Sequence, residues 1–147
     1  MADETTALAI HIDSLSANEF EVRIEGEPVK GVFKVSGLLP FKLEVKPALT
    51  KLVRDPFKIS KMVQRDPNTA FNRWVRETIG AKDDIVRPTR TVDILAIDDE
   101  EEIRRWTIVG AWISEIGYSE FNSASSDLIE ETLTIRYDDV TETWQNL

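Results

Sequence analysis

Chemistry in this chain would have to come from one histidine, a block of consecutive acids, an adjacent glutamate pair or four tryptophans, because there is no cysteine. Without a thiol, disulfides, thiolate zinc sites and cysteine nucleophiles are excluded. A Ser-His-acid triad or a histidine metal site would have to use His11, which lies between Ile10 and Ile12 in a short alternating stretch near the N-terminus. That setting reads as an exposed strand or arm histidine. The run Asp98 to Glu102 is acidic throughout but lacks the alternating ligand positions and the turn glycine of an EF-hand loop, so it reads as a solvated hairpin tip. Glu130 and Glu131 imitate a glycosidase pair, yet neighbours on a strand point to opposite faces and cannot converge on one substrate. The six glycines fall in no phosphate-binding pattern. Trp74 and Trp106 sit on apolar faces and read as core, while Trp112 and Trp144 suit an assembly interface better than sugar stacking.

The elements that would position these groups are short and mostly extended. Phe20, Val22 and Ile24 alternate with Glu21 and Arg23, the period of a strand buried on one face. Gly31 to Leu38 and Phe41 to Lys46 repeat the pattern, with Leu39-Pro40 as a bend, so three antiparallel strands are expected in the first third. Pro47 to Pro56 reads as a loop, and Phe57 and Ile59 restart a strand. Asp66-Pro67 predicts a helix start and Gly80 its stop. Between them Ala70, Phe71, Trp74, Val75, Thr78 and Ile79 form an apolar stripe, and Arg73 and Glu77 are placed to pair on the outer face. Val92 to Ile97 and Trp106 to Trp112 predict a hairpin with the acidic tip, and Leu133, Ile135 and Tyr137 a last strand. The remainder, Thr141 to Leu147, reads as a polar tail.

About seven strands and one helix predict a mainly β fold, a small barrel or sandwich of two antiparallel sheets with one flanking α-helix. The 147 residues suit a single domain, with an arm over about residues 1 to 18. No apolar run reaches the roughly 20 residues of a membrane span, and the start is acidic where a secretory signal would be basic, so synthesis and retention in a bacterial cytoplasm are expected. The net charge of -9 excludes general nucleic-acid affinity but not nucleic acid as cargo. That charge is segregated. Residues 51 to 91 carry 10 basic and 5 acidic groups, and residues 92 to 147 carry 3 and 14.

From Phe20 to Glu142 the order of elements resembles the tail tube proteins of contractile phages and phage-derived contractile injection systems. The resemblance is carried by Ile24-Glu25-Gly26, by Gly31-Val32-Phe33-Lys34-Val35-Ser36-Gly37-Leu38, and by the helix with Phe71, Trp74 and Val75. It continues through Val92 to Asp98, Arg105-Trp106, Ala111-Trp112 and the closing strand with Glu131 and Leu133. It implies a virion component that is not an enzyme and needs no cofactor: a structural subunit whose six copies form a ring, with rings stacking into an inner tube. The partners implied are sheath and baseplate proteins, with DNA or protein effectors as cargo in the lumen. The resemblance also places the lumen hairpin in Val32 to Val45, where Lys34, Lys42, Glu44 and Lys46 would alternate outward. The chain departs from the family in carrying Ile113 where a proline usually follows the Ala-Trp pair, and in a shorter, more basic segment before the helix. A baseplate-proximal tube subunit would fit those departures.

A type VI secretion tube protein is the alternative within the same architecture, and a monomeric ligand-binding β-barrel and an enzyme with dispersed acids are alternatives outside it. Ring contacts join different patches of neighbouring copies. The segregated charge therefore predicts that Lys51, Arg54, Lys58 and Lys61 face Asp98, Asp99 and Glu100, with the rest of that run, or Asp138 to Glu142, of a neighbour.

Overall fold

The computed structural model describes residues 15 to 145. These residues form ten strands and one helix: β1 (Phe20–Ile24), β2 (Glu27–Val29), β3 (Val32–Ser36), β4 (Leu43–Lys46), β5 (Leu49–Leu52), β6 (Phe57–Met62), α1 (Ala70–Ala81), β7 (Arg90–Asp98), β8 (Glu101–Tyr118), β9 (Glu130–Arg136) and β10 (Asp139–Trp144). The strands are paired antiparallel in the order β2-β1-β7-β8-β9-β6-β3, with β10 also on β8 and β4-β5 as a separate ribbon.

The 18-residue β8 belongs to two sheets. Its first half pairs with β7 and β10, and its second half, from Trp112 to Tyr118, pairs with β9. The first sheet is therefore β2-β1-β7-β8-β10 and the second is β3-β6-β9-β8. Alternation on every long strand turns one apolar row inward: Val22 and Ile24 from β1, Val92 and Ile94 from β7, Phe57 and Ile59 from β6, and Leu133 and Ile135 from β9 are all in one buried cluster. The architecture is the expected pair of antiparallel sheets with one helix, arranged as an open sandwich whose sheets meet only along β8.

The passage between sheets needs a local break in β8. Gly110 supplies it with φ +66°, beside a shift of register between Val92 and Arg90 on the facing strand. A side chain there is disfavoured twice, since left-handed backbone penalises an L-residue and an added Cβ would lie 2.1 Å from Asp138 Oδ2. Gly110→Ala is expected to lower stability by about 1 to 2 kcal/mol from the backbone term alone. A shift in urea midpoint with unchanged slope would show it, and a loss under about 0.5 kcal/mol would mean that β8 bends without this residue.

Helix α1 closes one side of the sandwich, packing on β2 and β8. Phe71 and Trp74 are fully buried and stack with ring centres 6.3 Å apart, and Trp74 Nε1 donates to the Pro88 carbonyl at 3.0 Å. The helix begins later than Asp66-Pro67 predicts. Thr69 is its cap, accepting from the Asn72 amide at 3.1 Å, while Asp66 accepts from the Asn68 amide in a preceding turn. It also runs past Gly80, and the left-handed residue that ends it is Lys82. Ile79 is exposed, so the buried stripe stops at Thr78. Arg73 and Glu77 do not pair with each other; both reach the first sheet, Arg73 to Glu27 at 3.3 Å and Glu77 to Arg90 at 2.5 Å.

Two segments expected to be irregular are strands. Leu49 to Leu52 lies inside the expected loop and pairs with β4, and the expected polar tail begins within β10, which is held along β8 from Arg104 to Val109. Trp144 there lies against the Arg104 guanidinium, 3.4 Å from the ring centre, so this polar-looking end is anchored by a tertiary contact that alternation does not reveal.

Candidate assembly surface

The acids do not converge. Among the described residues no group of three or more histidines or acids stands close enough to hold a metal ion. Asp99 and Glu100, with φ of 51° and 65°, form the two-residue turn between β7 and β8, and Glu102 turns back to Arg105 and to the Gln145 amide. Glu130 is exposed and Glu131 buried, on opposite faces as the strand period requires. His11 lies outside the described residues.

What the fold leaves open is sheet edge. In the first sheet one edge is β2, three residues long and interrupted by Pro28, which cannot donate to a further strand. In the second sheet both edges are without a partner strand among the described residues: β3 on one side and Trp112 to Tyr118 of β8 on the other. The Met62 amide donates to the Gly31 carbonyl at 2.9 Å, so the even-numbered residues of β6 bond to β3, and their partners Lys34 and Ser36 bond back. Val35 between them points its amide and carbonyl along the free edge. Apolar side chains flank both edges: Phe33 at 42% exposure beside one, and Ile79 at 58%, lining one cleft with Ile113 to Ile116, beside the other.

The outward face of this second sheet is polar. Phe57 and Ile59 point in, so Lys58 and Ser60 point out; Leu133 and Ile135 point in, so Thr132 and Arg136 point out, while Thr134 between them is buried. The Ser60 and Thr132 hydroxyls are 3.3 Å apart across the strands.

The β4-β5 ribbon projects from the body, and each of its strand residues is exposed. It carries apolar tips, Val45 at 73% and Leu49 at 60% exposure, among Lys42, Lys46 and Lys51. This divides the expected lumen hairpin. Lys34 is on β3, paired with β6, whereas Lys42, Glu44 and Lys46 belong to the ribbon, so the four do not share one hairpin. Lys42 binds Asp55 at 2.7 Å and Lys46 binds Glu44 at 3.0 Å. The reason is local: after the bend at Leu39-Pro40, β4 finds its partner in the next strand rather than the previous one.

Two cations expected to meet a neighbour's acids are engaged within the chain. Arg54 binds Asp139 at 2.7 Å, and the guanidinium hydrogen bond holds that carboxyl below its ordinary range. Lys61 is completely buried, 2.7 Å from Glu131 Oε1 and 5.5 Å from the Phe71 ring centre. The approach to Glu131 falls outside hydrogen-bond geometry, so the contact is ionic. Tyr118 stands opposite Glu131 on the facing strand; partial burial first and that carboxylate second raise its hydroxyl above the ordinary value. Alternation puts Lys61 in the row of Phe57 and Ile59 and Glu131 in the row of Leu133 and Ile135, but sequence reasoning missed the pair because nothing in the sequence shows that β6 and β9 lie side by side. Trp106 is half-buried against the core and donates from Nε1 to Glu142. Lys51 stands opposite Glu44 on the ribbon, and Lys58, Asp98, Asp99 and Glu100 are exposed.

Solved structures share this fold. A chain of the PVC sheath-tube complex of an extracellular contractile injection system in its extended state superposes with a TM-score of 0.68 at 16% identity, covering 95% of this chain and 97% of that one. A chain of the six-fold symmetrised baseplate of the anti-feeding prophage gives 0.67 at 11% identity, over 91% and 98%. Hcp1 from Flavobacterium johnsoniae gives 0.57 at 13% identity, over 86% and 95%. A search of the curated proteins finds no match. The family model described as T4-like virus tail tube protein gp19 matches residues 16–141, nearly the whole described chain, and the protein therefore belongs to that family of tail tube proteins.

Proposed function

We propose that this tail tube protein assembles as six-membered rings by joining β3 of one copy to the Trp112–Tyr118 edge of β8 in the next, and that the rings stack into a tube. The observation that carries the reading is that, among the described residues, the second sheet has two edges without partner strands, while the first has Pro28 on one of its own. Two different edges meeting head to tail close into a ring, and closure removes the aggregation hazard that free edges present. The outward polar face then becomes the wall of a channel. The projecting ribbon, exposed and apolar at its tips, is left to contact the next ring. Six copies agree with the six-fold symmetry of the anti-feeding prophage baseplate, and a sheath and a baseplate are the partners suggested by the solved assemblies with this fold. The role is structural, without catalysis, after synthesis in a bacterial cytoplasm.

The test is Val35→Pro. Proline there removes an amide that faces the free edge and leaves the bonds to β6 in place. The variant is expected to stay folded by circular dichroism yet run as a 16.8 kDa monomer where the parent forms rings and tubes by electron microscopy. Normal rings from a folded variant would remove β3 from the seam.

A further inference from the structure

The gap between the two sheets opens at the β1 and β3 side as an apolar groove of about 360 Å³, and we infer that the chain's own segment from Leu8 to Ile12 seats in it. Phe20, Ile94 and Trp106 line the groove from the inward face of the first sheet, and Phe33, Val35 and Leu38 line it from β3 and the residues just after. The groove is core left half-covered. Ile94 is buried, but Phe20, Val35, Leu38 and Trp106 pack on the buried cluster with one side free, and Phe33 is 42% exposed.

Helix α1 covers another side of the sandwich, over β2 and β8, and among the described residues no element lies over this groove. A further apolar row gains most where such surface is still wet. The one charged side chain on the wall is Lys34, whose sign suits the acids Asp3, Glu4 and Asp13 that flank the segment.

The occupant follows from where the described chain begins and what precedes it. Leu8, Ile10 and Ile12 alternate with Ala9 and His11, so as a strand the segment has one apolar row to bury. Its path leads to the groove. Ala17 lies on the groove wall, and the Glu19 amide donates to the Ser16 carbonyl at 3.3 Å in a turn that reverses the chain just before β1. Because β1 already has β2 on one side and β7 on the other, the incoming chain finds no edge there and crosses the apolar face instead. The five steps from Ile12 to Ala17 span at most about 17 Å, which is enough to bring the row over Phe20 and Phe33. Tethering also favours this segment over a free chain, since a short linker holds it at an effective concentration of about millimolar order.

The full chain has no cysteine, so a pair of introduced thiols reports one contact cleanly. Phe33→Cys is combined in turn with Leu8→Cys, Ile10→Cys or Ile12→Cys, and with Ala9→Cys or His11→Cys from the opposite row. At least one of the first three pairs is expected to close a disulfide within one chain on mild oxidation, identified by peptide mass. The Ala9 and His11 pairs should close about tenfold more slowly, because a bridge needs Cβ atoms about 4 Å apart. Separately, Ile10→Asp with Ile12→Asp should stay folded by circular dichroism and raise the fluorescence of the apolar dye ANS about twofold or more. If that variant fails to fold, Ile10→Ser with Ile12→Ser carries the same expectation. Bridges found only between a Phe33→Cys chain and a separate Ile10→Cys chain would give the groove to a neighbour's segment and overturn the assignment. So would the absence of any bridge, equal rates from both rows, or unchanged dye binding by a folded variant.

Discussion

Trp74→Ala should lower the stability of the folded chain by about 3 to 5 kcal/mol, the usual cost of emptying a buried large aromatic site. The side chain has no exposed surface, stacks on Phe71 and spans the gap between α1 and the Pro88 segment leading into β7. Removing it detaches the helix from the sheets and leaves the Pro88 carbonyl without its donor. Trp74→Phe should lose less, because the ring keeps most of the packing and only the hydrogen bond goes. Denaturant melts measure both. A loss below about 1 kcal/mol for the alanine variant would show that α1 is held by other contacts. Because α1 contacts β8 as well as β2, the alanine variant is also expected to assemble poorly.

Breaking the Lys61–Glu131 pair from one side should cost a similar amount for a different reason. Both side chains are almost wholly buried, at 0% and 5% exposure, so Lys61→Met leaves a carboxylate and Glu131→Leu an ammonium with nothing to offset its lost hydration. The expected loss for either single change is about 3 to 5 kcal/mol. The double variant, Lys61→Met with Glu131→Leu, removes both charges and keeps the volume, and should be neutral or more stable than the parent by about 1 to 4 kcal/mol. A double variant as unstable as either single one would show that packing against Phe71, and not the buried charge, sets the energetics. The pair joins β6 to β9 inside the second sheet, and Glu131 stands opposite Tyr118 at the end of β8. We expect the uncharged double variant to fold with weaker control over that edge, visible as rings of mixed size.

The sequence by itself determined the elements whose cause is local. Period-two alternation located β1, β6, β7 and β9, because a strand with one buried face must write that face into every second residue. The helix was legible from Phe71, Trp74 and Val75 at helical spacing, and the family from the order in which these pieces occur. Its ends were not, since Thr69 and Lys82 cap it through bonds that depend on how the chain arrives and leaves. Strands β5 and β10 were invisible for the same reason: Leu49 to Leu52 lacks a buried face, and Asp139 to Trp144 is a strand only because β8 lies beside it. Tertiary structure alone decided which charges are free. Lys58 and Lys61 are three residues apart, yet one faces solvent and the other lies fully buried against Glu131. Alternation puts Lys61 in the row of Phe57 and Ile59 and Lys58 in the other, but the partner that makes burial of the charge tolerable is Glu131 of β9, about 70 residues away along the chain, which only the fold brings beside it.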